Sequence, residues 1–197
     1  MNKIDEMIKK LCPNGVECKK LKTISKIIRG ERITKRDLNE NGKYIAISGG
    51  TKPFGKINKY NRVKNTITIA QYGTAGYVDF QLEPFWANDV VYSLFPKNEI
   101  INNKFLYYYL VNIQDYIFSL TTKALPNHLP IEKLNDIKIP IPPLEVQNEI
   151  VRILNKYTEL ERELERELGL EQNNMNTIGI NYYWIKKMLN ENQLMKY

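Results

Sequence analysis

Two glycine-bearing segments hold the residues best able to bind a polyanion. Residues 48–56 read Ser-Gly-Gly-Thr-Lys-Pro-Phe-Gly-Lys, and further Lys, Arg and Tyr residues follow up to position 64. Glycines let a backbone approach a phosphate chain, hydroxyls hydrogen-bond it, and Lys or Arg neutralise its charge. This segment therefore predicts phosphate contact, although interleaved Lys and Tyr also occur on ordinary protein surfaces.

The second segment, residues 71–76, reads Gln-Tyr-Gly-Thr-Ala-Gly and lies between two predicted strands. The amide of Gln71 is suited to an adenine edge, and Tyr72 or Thr74 is suited to a thymine methyl group. A plain turn between strands is the competing interpretation, because glycine is common in turns. Both segments thus point to binding of nucleic acid rather than to catalysis.

Residues typical of catalysis and metal binding do not form a persuasive set. The sequence has no glycine-rich Lys-Ser/Thr phosphate loop and no Gly-x-Ser-x-Gly motif. Its only histidine, His128, lies in a loop with no matching Ser or Cys motif. Cys12 and Cys18 have no further Cys or His at metal-ligand spacing. We expect a non-enzymatic protein without metal or cofactor.

Charge divides the chain into two parts. Residues 19–64 contain 14 Lys and Arg against 3 Asp and Glu, a net charge of +11. Residues 142–197 contain 7 against 9, a net charge of −2. A basic part suits a polyanion and a mildly acidic helical part suits a protein partner. Lysines that are merely solvated are the alternative interpretation of the basic part.

The elements that must position the two segments are short strands and a few helices. Apolar residues at helical spacing predict helices at 2–11 and 104–120. Runs rich in β-branched and aromatic residues predict strands at 44–47, 66–70, 77–80, 85–86 and 90–95. Regular β-α-β alternation is missing, which favours an α+β fold. No apolar run of 18 residues and no signal peptide is visible, so we expect a cytoplasmic protein without a membrane span.

Pro142 and Pro143 mark the border between a short apolar strand and a long charged helix. Apolar residues then recur at heptad spacing, which predicts a coiled-coil seam. A helix that folds back on its own domain is the alternative. The seam residues are Val146, Ile150, Ile153, Tyr157, Leu160, Leu164 and Leu168.

Several motifs together resemble the specificity subunit of type I restriction–modification systems. They are Leu21-x-x-Ile24 with Gly30, residues 44–50, 69–78 and 85–90, then His128-Leu129-Pro130 with Lys133 and Leu134, and finally 139–150 with its double proline and Gln147. The resemblance extends over roughly residues 1–170, and the proline–helix border is its most specific part.

The resemblance implies a target recognition domain at 1–141, a conserved coiled-coil helix at 142–170 and an atypical tail at 171–197. It implies double-stranded DNA as a ligand, and methyltransferase and restriction subunits as partners that perform the chemistry of DNA methylation and cleavage. Because only one domain and one helix are present, we expect a homodimer through the helix. A non-DNA-binding or inhibitory module that docks on the methyltransferase is the alternative function.

The DNA-contact candidates share a basic, hydroxyl, amide or phenol side chain in or near the two glycine-bearing segments. They are Arg29, Lys35, Arg36, Ser48, Lys52, Lys56, Lys59, Tyr60, Arg62, Lys64, Gln71, Tyr72 and Thr74.

The tail does not continue the heptad pattern. For one choice of codons, a shifted reading of residues 173–183 gives Gln-Tyr-Glu-Tyr-Tyr-Arg-Asn-Lys-Leu-Leu, which resembles the tail expected in the family. We therefore interpret the tail from about Gln172 as the frameshifted end of a longer gene. A designed or natural half-subunit is the competing interpretation, and the DNA sequence of the gene distinguishes the two.

Overall fold

The structure is a computed structural model that describes residues 3–168. These residues fall into two compact units. A helical unit takes its described residues from Met1–Lys19, Asn98–Asn112 and Ile139–Tyr197, and a sheet unit comprises Lys20–Lys97 and Ile113–Lys138. The mixture of short strands and helices agrees with the expected α+β class. The interpreted tail at 171–197 lies outside the described residues.

The sheet unit contains a four-stranded antiparallel sheet, ordered β2-β8-β5-β6. Its central strands are its most apolar: all residues of β5 are buried, as are the first four of β8. A strand covered on both faces gains more burial of apolar surface than an edge strand does, which explains why β-branched residues dominate β5. The strands are β2 (Ser25–Arg29), β5 (Thr66–Ala70), β6 (Val78–Gln81) and β8 (Val91–Pro96).

A second, three-stranded sheet is ordered β4-β3-β7, with β3 antiparallel to β4 and parallel to β7. One face packs on Ile33, Ala46, Ile57 and Trp86, and the other on a cluster around Phe85. Both faces therefore carry apolar clusters, while Lys56 in the middle of β4 is exposed. The strands are β3 (Tyr44–Ile47), β4 (Gly55–Ile57) and β7 (Phe85–Ala87).

Short helices complete the sheet unit. They are α2 (Leu21–Ile24), a 3-10 turn at Lys35–Asp37, α4 (Gln114–Ser119) and α5 (Ile131–Asn135). The helical unit contains α1 (Lys3–Leu11), α3 (Asn103–Asn112), α6 (Leu144–Glu167) and most residues of a two-stranded sheet of β1 (Cys18–Lys20) and β9 (Lys138–Pro140). Within residues 3–168, no helix has the length and apolar character needed to cross a membrane.

The predicted helix at 104–120 is wrong as a single element. It ends at Asn112, and a new helix starts at Gln114 after Ile113 leaves helical geometry at φ −99° and ψ 22°. The side chain of Gln114 holds the start of α4 against the sheet unit, so that α4 does not continue α3. It accepts a hydrogen bond from the N–H of Val78 at 3.0 Å and donates one to the carbonyl of Gly76 at 2.7 Å, and both partners lie in the sheet unit.

The helix predicted after Pro143 is confirmed. The carbonyl of Pro143 accepts the first bonds of α6, from the N–H groups of Val146 and Gln147. Gln147 is fully buried and fixes this start, because its amide nitrogen donates to the carbonyls of Ile100 and Pro142 and its oxygen accepts from the N–H of Asn102. Two of these three hydrogen bonds tie α6 to the segment that precedes α3, and the third holds the residue before Pro143.

Candidate functional site

The two glycine-bearing segments meet in the sheet unit. The N–H of Thr74 donates to the carbonyl of Gly49 at 2.7 Å. A side chain at Gly49 would place its Cβ 2.3 Å from the carbonyl oxygen of Tyr72, and one at Gly73 would lie 2.4 Å from the oxygen of Gly49. Gly73 also has a φ of +74°, which favours glycine. The glycines therefore allow two loops to touch through their backbones.

A third loop, residues 120–130, joins them. Tyr72 forms a β-bridge with His128, and the rings of the two residues stack with centroids 5.5 Å apart at 24°. The N–H of Leu129 donates to the carbonyl of Gln71 at 2.9 Å. We call residues 48–54, 71–77 and 120–130 the loop cluster. Sequence reasoning excluded His128 as a catalytic residue but did not reveal its contact with Tyr72, because a lone histidine carries no spacing signal.

Asn88 connects a fourth segment to the loop cluster. Its side-chain oxygen accepts from the N–H of Ile33 at 3.1 Å, and its amide nitrogen lies 3.4 Å from the hydroxyl of Ser48. Because Asn88 is buried, these bonds replace the water it would otherwise bind. Lys35 and Arg36 lie two and three residues after Ile33 and are exposed. The structure thus brings Ile33, which precedes the basic 3-10 turn, and Ser48 to the same buried amide.

The predicted site residues that are exposed or half-buried in the loop cluster are Ser48, Lys52, Tyr72 and Thr74. They supply a hydroxyl, an ammonium and a phenol group around backbone glycines. Such a set can hydrogen-bond base edges and phosphates and neutralise phosphate charge.

Two predicted site residues lie inside the unit instead. Arg62 is 8% exposed, and its guanidinium donates to the hydroxyl of Ser93 and to the carbonyls of Asn61 and Arg29. Burial lowers the pKa of this guanidinium from its usual value, but the group stays protonated at neutral pH because that value is so high. Gln71 is 9% exposed. Arg62 therefore supports the strands from which the loops extend, whereas the buried side-chain oxygen of Gln71 has no hydrogen-bond partner among the described residues.

A second basic group lies at the other end of β3. Lys59 lies over the ring of Trp86 at 4.5 Å, and the rings of Tyr44 and Tyr60 meet edge to face with centroids 5.0 Å apart. Tyr44 begins β3 and Ser48 follows its end, so the two groups are roughly 13 Å apart by the rise of the strand. The sequence analysis treated residues 48–64 as one stretch. In the structure, the β3–β4 hairpin places the beginning and the end of this stretch at opposite ends of β3.

The remaining predicted DNA contacts are surface residues of the sheet unit. Arg29, Lys56 and Lys64 are exposed, and the Nε of Arg29 donates to the carbonyl of Asp89. Within residues 3–168, no group of three or more His, Cys, Asp or Glu side chains is arranged to hold a metal ion.

The apolar stripe of α6 divides into two parts. Val146 and Ile150 are fully buried and Leu154 is 2% exposed, because this part of the helix contacts α1 and α3. From Tyr157 onward the stripe is exposed, at 37% for Tyr157 and 49, 55 and 62% for Leu160, Leu164 and Leu168. The alternative of a helix folded back on its own domain therefore holds for the first part of the predicted seam. Ile153 lies at the transition and is half-buried.

The fold defines a class of protein. The structure is similar to the crystal structure of a type I restriction–modification S subunit from M. genitalium, with a TM-score of 0.68, 25% identity and coverage of 78% of this chain and 45% of that one. An HsdS subunit from Thermoanaerobacter tengcongensis shares the fold, with a TM-score of 0.59 at 17% identity, over 93% of this chain and 49% of that one.

Residues 13–172 match the family described as the type I restriction modification DNA specificity domain, and this chain belongs to that family. A Haemophilus influenzae protein described as a type I restriction enzyme specificity subunit is 35% identical over 153 residues, which are 75% of this chain and 39% of that protein. A Mycoplasma pneumoniae type I specificity subunit is 32% identical over 154 residues, or 76% and 42%. The chain thus spans less than half the length of these relatives.

Proposed function

We propose that this chain is a DNA-recognition subunit of a type I restriction–modification complex and that the loop cluster contacts the DNA. The observation that carries this proposal is the convergence of three loops in a strongly basic unit of a chain from the DNA specificity family. The side chains that reach solvent there are those of Lys52 and Thr74, which are exposed, and of Ser48 and Tyr72, which are half-buried. Among residues 3–168, no group of metal-binding side chains lies beside them. The unit reads DNA, and partner subunits carry out methylation and cleavage.

The exposed part of α6 is the proposed assembly surface. Its apolar side chains step by three and four residues, which suits packing against another helix. We propose that a second copy of the chain supplies that helix in an antiparallel coiled coil. Twofold symmetry then presents two identical recognition units, and the DNA target is an interrupted palindrome. The methyltransferase subunit docks on the same helical region and brings the restriction subunit into the complex.

The second basic group, with Lys59 and Tyr60, is proposed to contact phosphates that flank the bases read by the loop cluster. Roughly 13 Å along β3 corresponds to about four base pairs of B-DNA at 3.4 Å each. The exposed residues Arg29, Lys35, Arg36, Lys56 and Lys64 add to this backbone contact. Arg62 and Gln71 position the loops from inside the unit.

Fluorescence anisotropy of the full chain with a labelled random-sequence duplex tests the DNA contact. We expect the affinity to fall steeply as salt rises, because Lys and Arg release counterions from the phosphates. Lys52→Ala should weaken binding and reduce the salt slope by about one unit. Lys97→Ala is the matched control, because Lys97 is equally exposed but follows the far end of β8 from the loop cluster.

A salt-independent affinity, or equal losses for the two lysine variants, would contradict the proposed surface. Repeating the titration in the presence of the methyltransferase subunit distinguishes DNA recognition from the alternative function. A chain that binds methyltransferase but never shifts DNA, alone or in the complex, is an interaction or inhibitory module.

A further inference from the structure

One side chain of the loop cluster has no role in the sheet unit. Leu125 is 99% exposed, whereas the next most exposed large apolar side chain among the described residues, Leu168, is 62% exposed. Leu125 occupies the middle of five consecutive exposed residues, 123–127. An apolar side chain held fully in water forgoes the free energy of burial, which a ligand that covers it would supply.

The base of this protrusion is closed by hydrogen bonds. The N–H of Thr122 donates to the carbonyl of His128 at 2.9 Å, and the N–H of His128 donates to the hydroxyl of Thr122 at 3.2 Å. The same hydroxyl lies 3.1 Å from Nδ1 of the His128 ring. That ring in turn stacks on Tyr72. Leu125 is therefore presented by a supported loop whose base belongs to the proposed DNA-reading surface.

The surroundings of Leu125 select the kind of ligand. Lys123 lies two residues away and is exposed, and the adjoining loop carries exposed Lys52. A partner on this surface must carry negative charge that pairs with these lysines, and it must also cover an apolar side chain. Duplex DNA offers both, with phosphates outside and stacked bases inside. The exposed stripe of α6 differs, because its leucines alternate with charges of both signs, which suits a protein helix.

We propose that Leu125 is a wedge that inserts between two base pairs of bound DNA and partly unstacks them. Leucine is one of the side chains that DNA-bending proteins use in this way, and the unstacked step bends the duplex. The inference rests on the proposed function, because it requires that the loop cluster binds DNA. It assigns to the third loop a role that neither glycine-bearing loop can perform, since those loops present polar groups.

Two duplexes of one sequence test the wedge: a fully paired 24-mer and the same 24-mer with one central abasic site. Unstacking costs less at a damaged position, so a wedge binds that duplex more tightly. We expect the wild-type chain to prefer the abasic duplex by about tenfold and Leu125→Ala to lose that preference. Leu125→Met should retain most of it, because methionine also wedges. Leu82→Ala is the control, since Leu82 is 51% exposed but lies outside the loop cluster.

The outcomes separate this inference from the proposed function. Equal binding of both duplexes by the wild-type chain overturns the wedge and leaves the DNA-recognition proposal standing. Absence of binding to either duplex overturns both. If Leu125→Ala keeps the preference but loses methyltransferase binding, Leu125 is a protein contact and the wedge is wrong. A preference lost in Leu125→Ala and kept in Leu82→Ala supports the wedge.

Discussion

The two halves of α6 carry the same apolar spacing but have different surroundings. In the first half, Val146 and Ile150 are completely buried against helices of the same unit. In the second half, Leu160 and Leu164 are about half exposed. The difference shows that the same heptad spacing accompanies a buried face where α1 and α3 contact α6 and an exposed face further along the helix.

The comparison also explains why the helix begins where it does. Pro143 starts α6, and the buried amide of Gln147 ties its first turn to residues 100–102. One end of the helix is therefore fixed to its own unit, and the leucines of its other end are exposed. The following predictions test that contrast, in order of expected effect.

The largest effect should come from a charge placed in the buried half. Ile150→Asp should destabilise the chain by about 4 kcal/mol, because an unpaired carboxylate would be buried where Ile150 is now 0% exposed. At a dilution where the chain is monomeric, Leu164→Asp, the same kind of change in the exposed half, should alter stability by less than about 0.5 kcal/mol, because Leu164 is 55% exposed within the chain. Urea denaturation of both variants measures the difference. Equal stability losses would contradict the division of the helix.

The second effect should appear in assembly rather than stability. Changing Leu160 and Leu164 together to Glu should weaken self-association by at least about a hundredfold, because each leucine contributes about 1.5 to 3 kcal/mol when buried. Analytical ultracentrifugation of the full chain measures the shift from dimer to monomer. Replacing exposed Lys156 and Glu159 by Ala is the control on the same stretch of helix. An unchanged mass for the leucine variant would refute the proposed dimer.

A smaller stability effect is expected at the start of α6. Gln147→Ala should cost about 2 kcal/mol, because the carbonyls of Ile100 and Pro142 and the N–H of Asn102 lose their buried partner. Asn148→Ala, which removes one exposed bond to Asn102, should cost far less. Thermal denaturation of the two variants compares them. If the two costs were equal, Gln147 would not be the fixed point of the helix.

The smallest effect should depend on pH. Hydrogen bonds from Arg152, and then from Lys3, lower the pKa of Glu149 from its usual 4.5 to about 2. A lowered carboxylate pKa stabilises the folded state above pH 4.5, and this stabilisation is lost as pH falls from 4.5 toward 2. Glu149→Gln should therefore be less stable than wild type at pH 7 by about 0.5 kcal/mol, and equal to it near pH 2. A pH-independent difference would contradict the ion pairs.

Local rules predicted much of the fold. Proline geometry located the start of α6, and β-branched runs located β5 and β8, because these signals act within a few residues. The break at Ile113 was missed, since it depends on hydrogen bonds between Gln114 and the loop at Gly76, which are remote in sequence.

The candidate site was predicted in part. Glycine spacing identified two of the three loops, and the structure shows why the glycines are needed. Burial of Arg62 and Gln71 could not be read from the sequence, because an arginine is usually exposed and its internal acceptors, such as Ser93, lie far along the chain. Asn88 and His128 were missed for the same reason, since their partners come together only in the folded unit.

The central claim is that the loop cluster determines which DNA sequence the complex modifies. The most direct measurement is a map of methylated sites on genomic DNA after reaction with the chain assembled on its methyltransferase subunits. We predict that the wild-type complex modifies one interrupted palindrome. We also predict that a Tyr72→Ala, Thr74→Ala variant assembles normally but loses or changes that site. Modification of the same site by both complexes at the same rate would contradict the account.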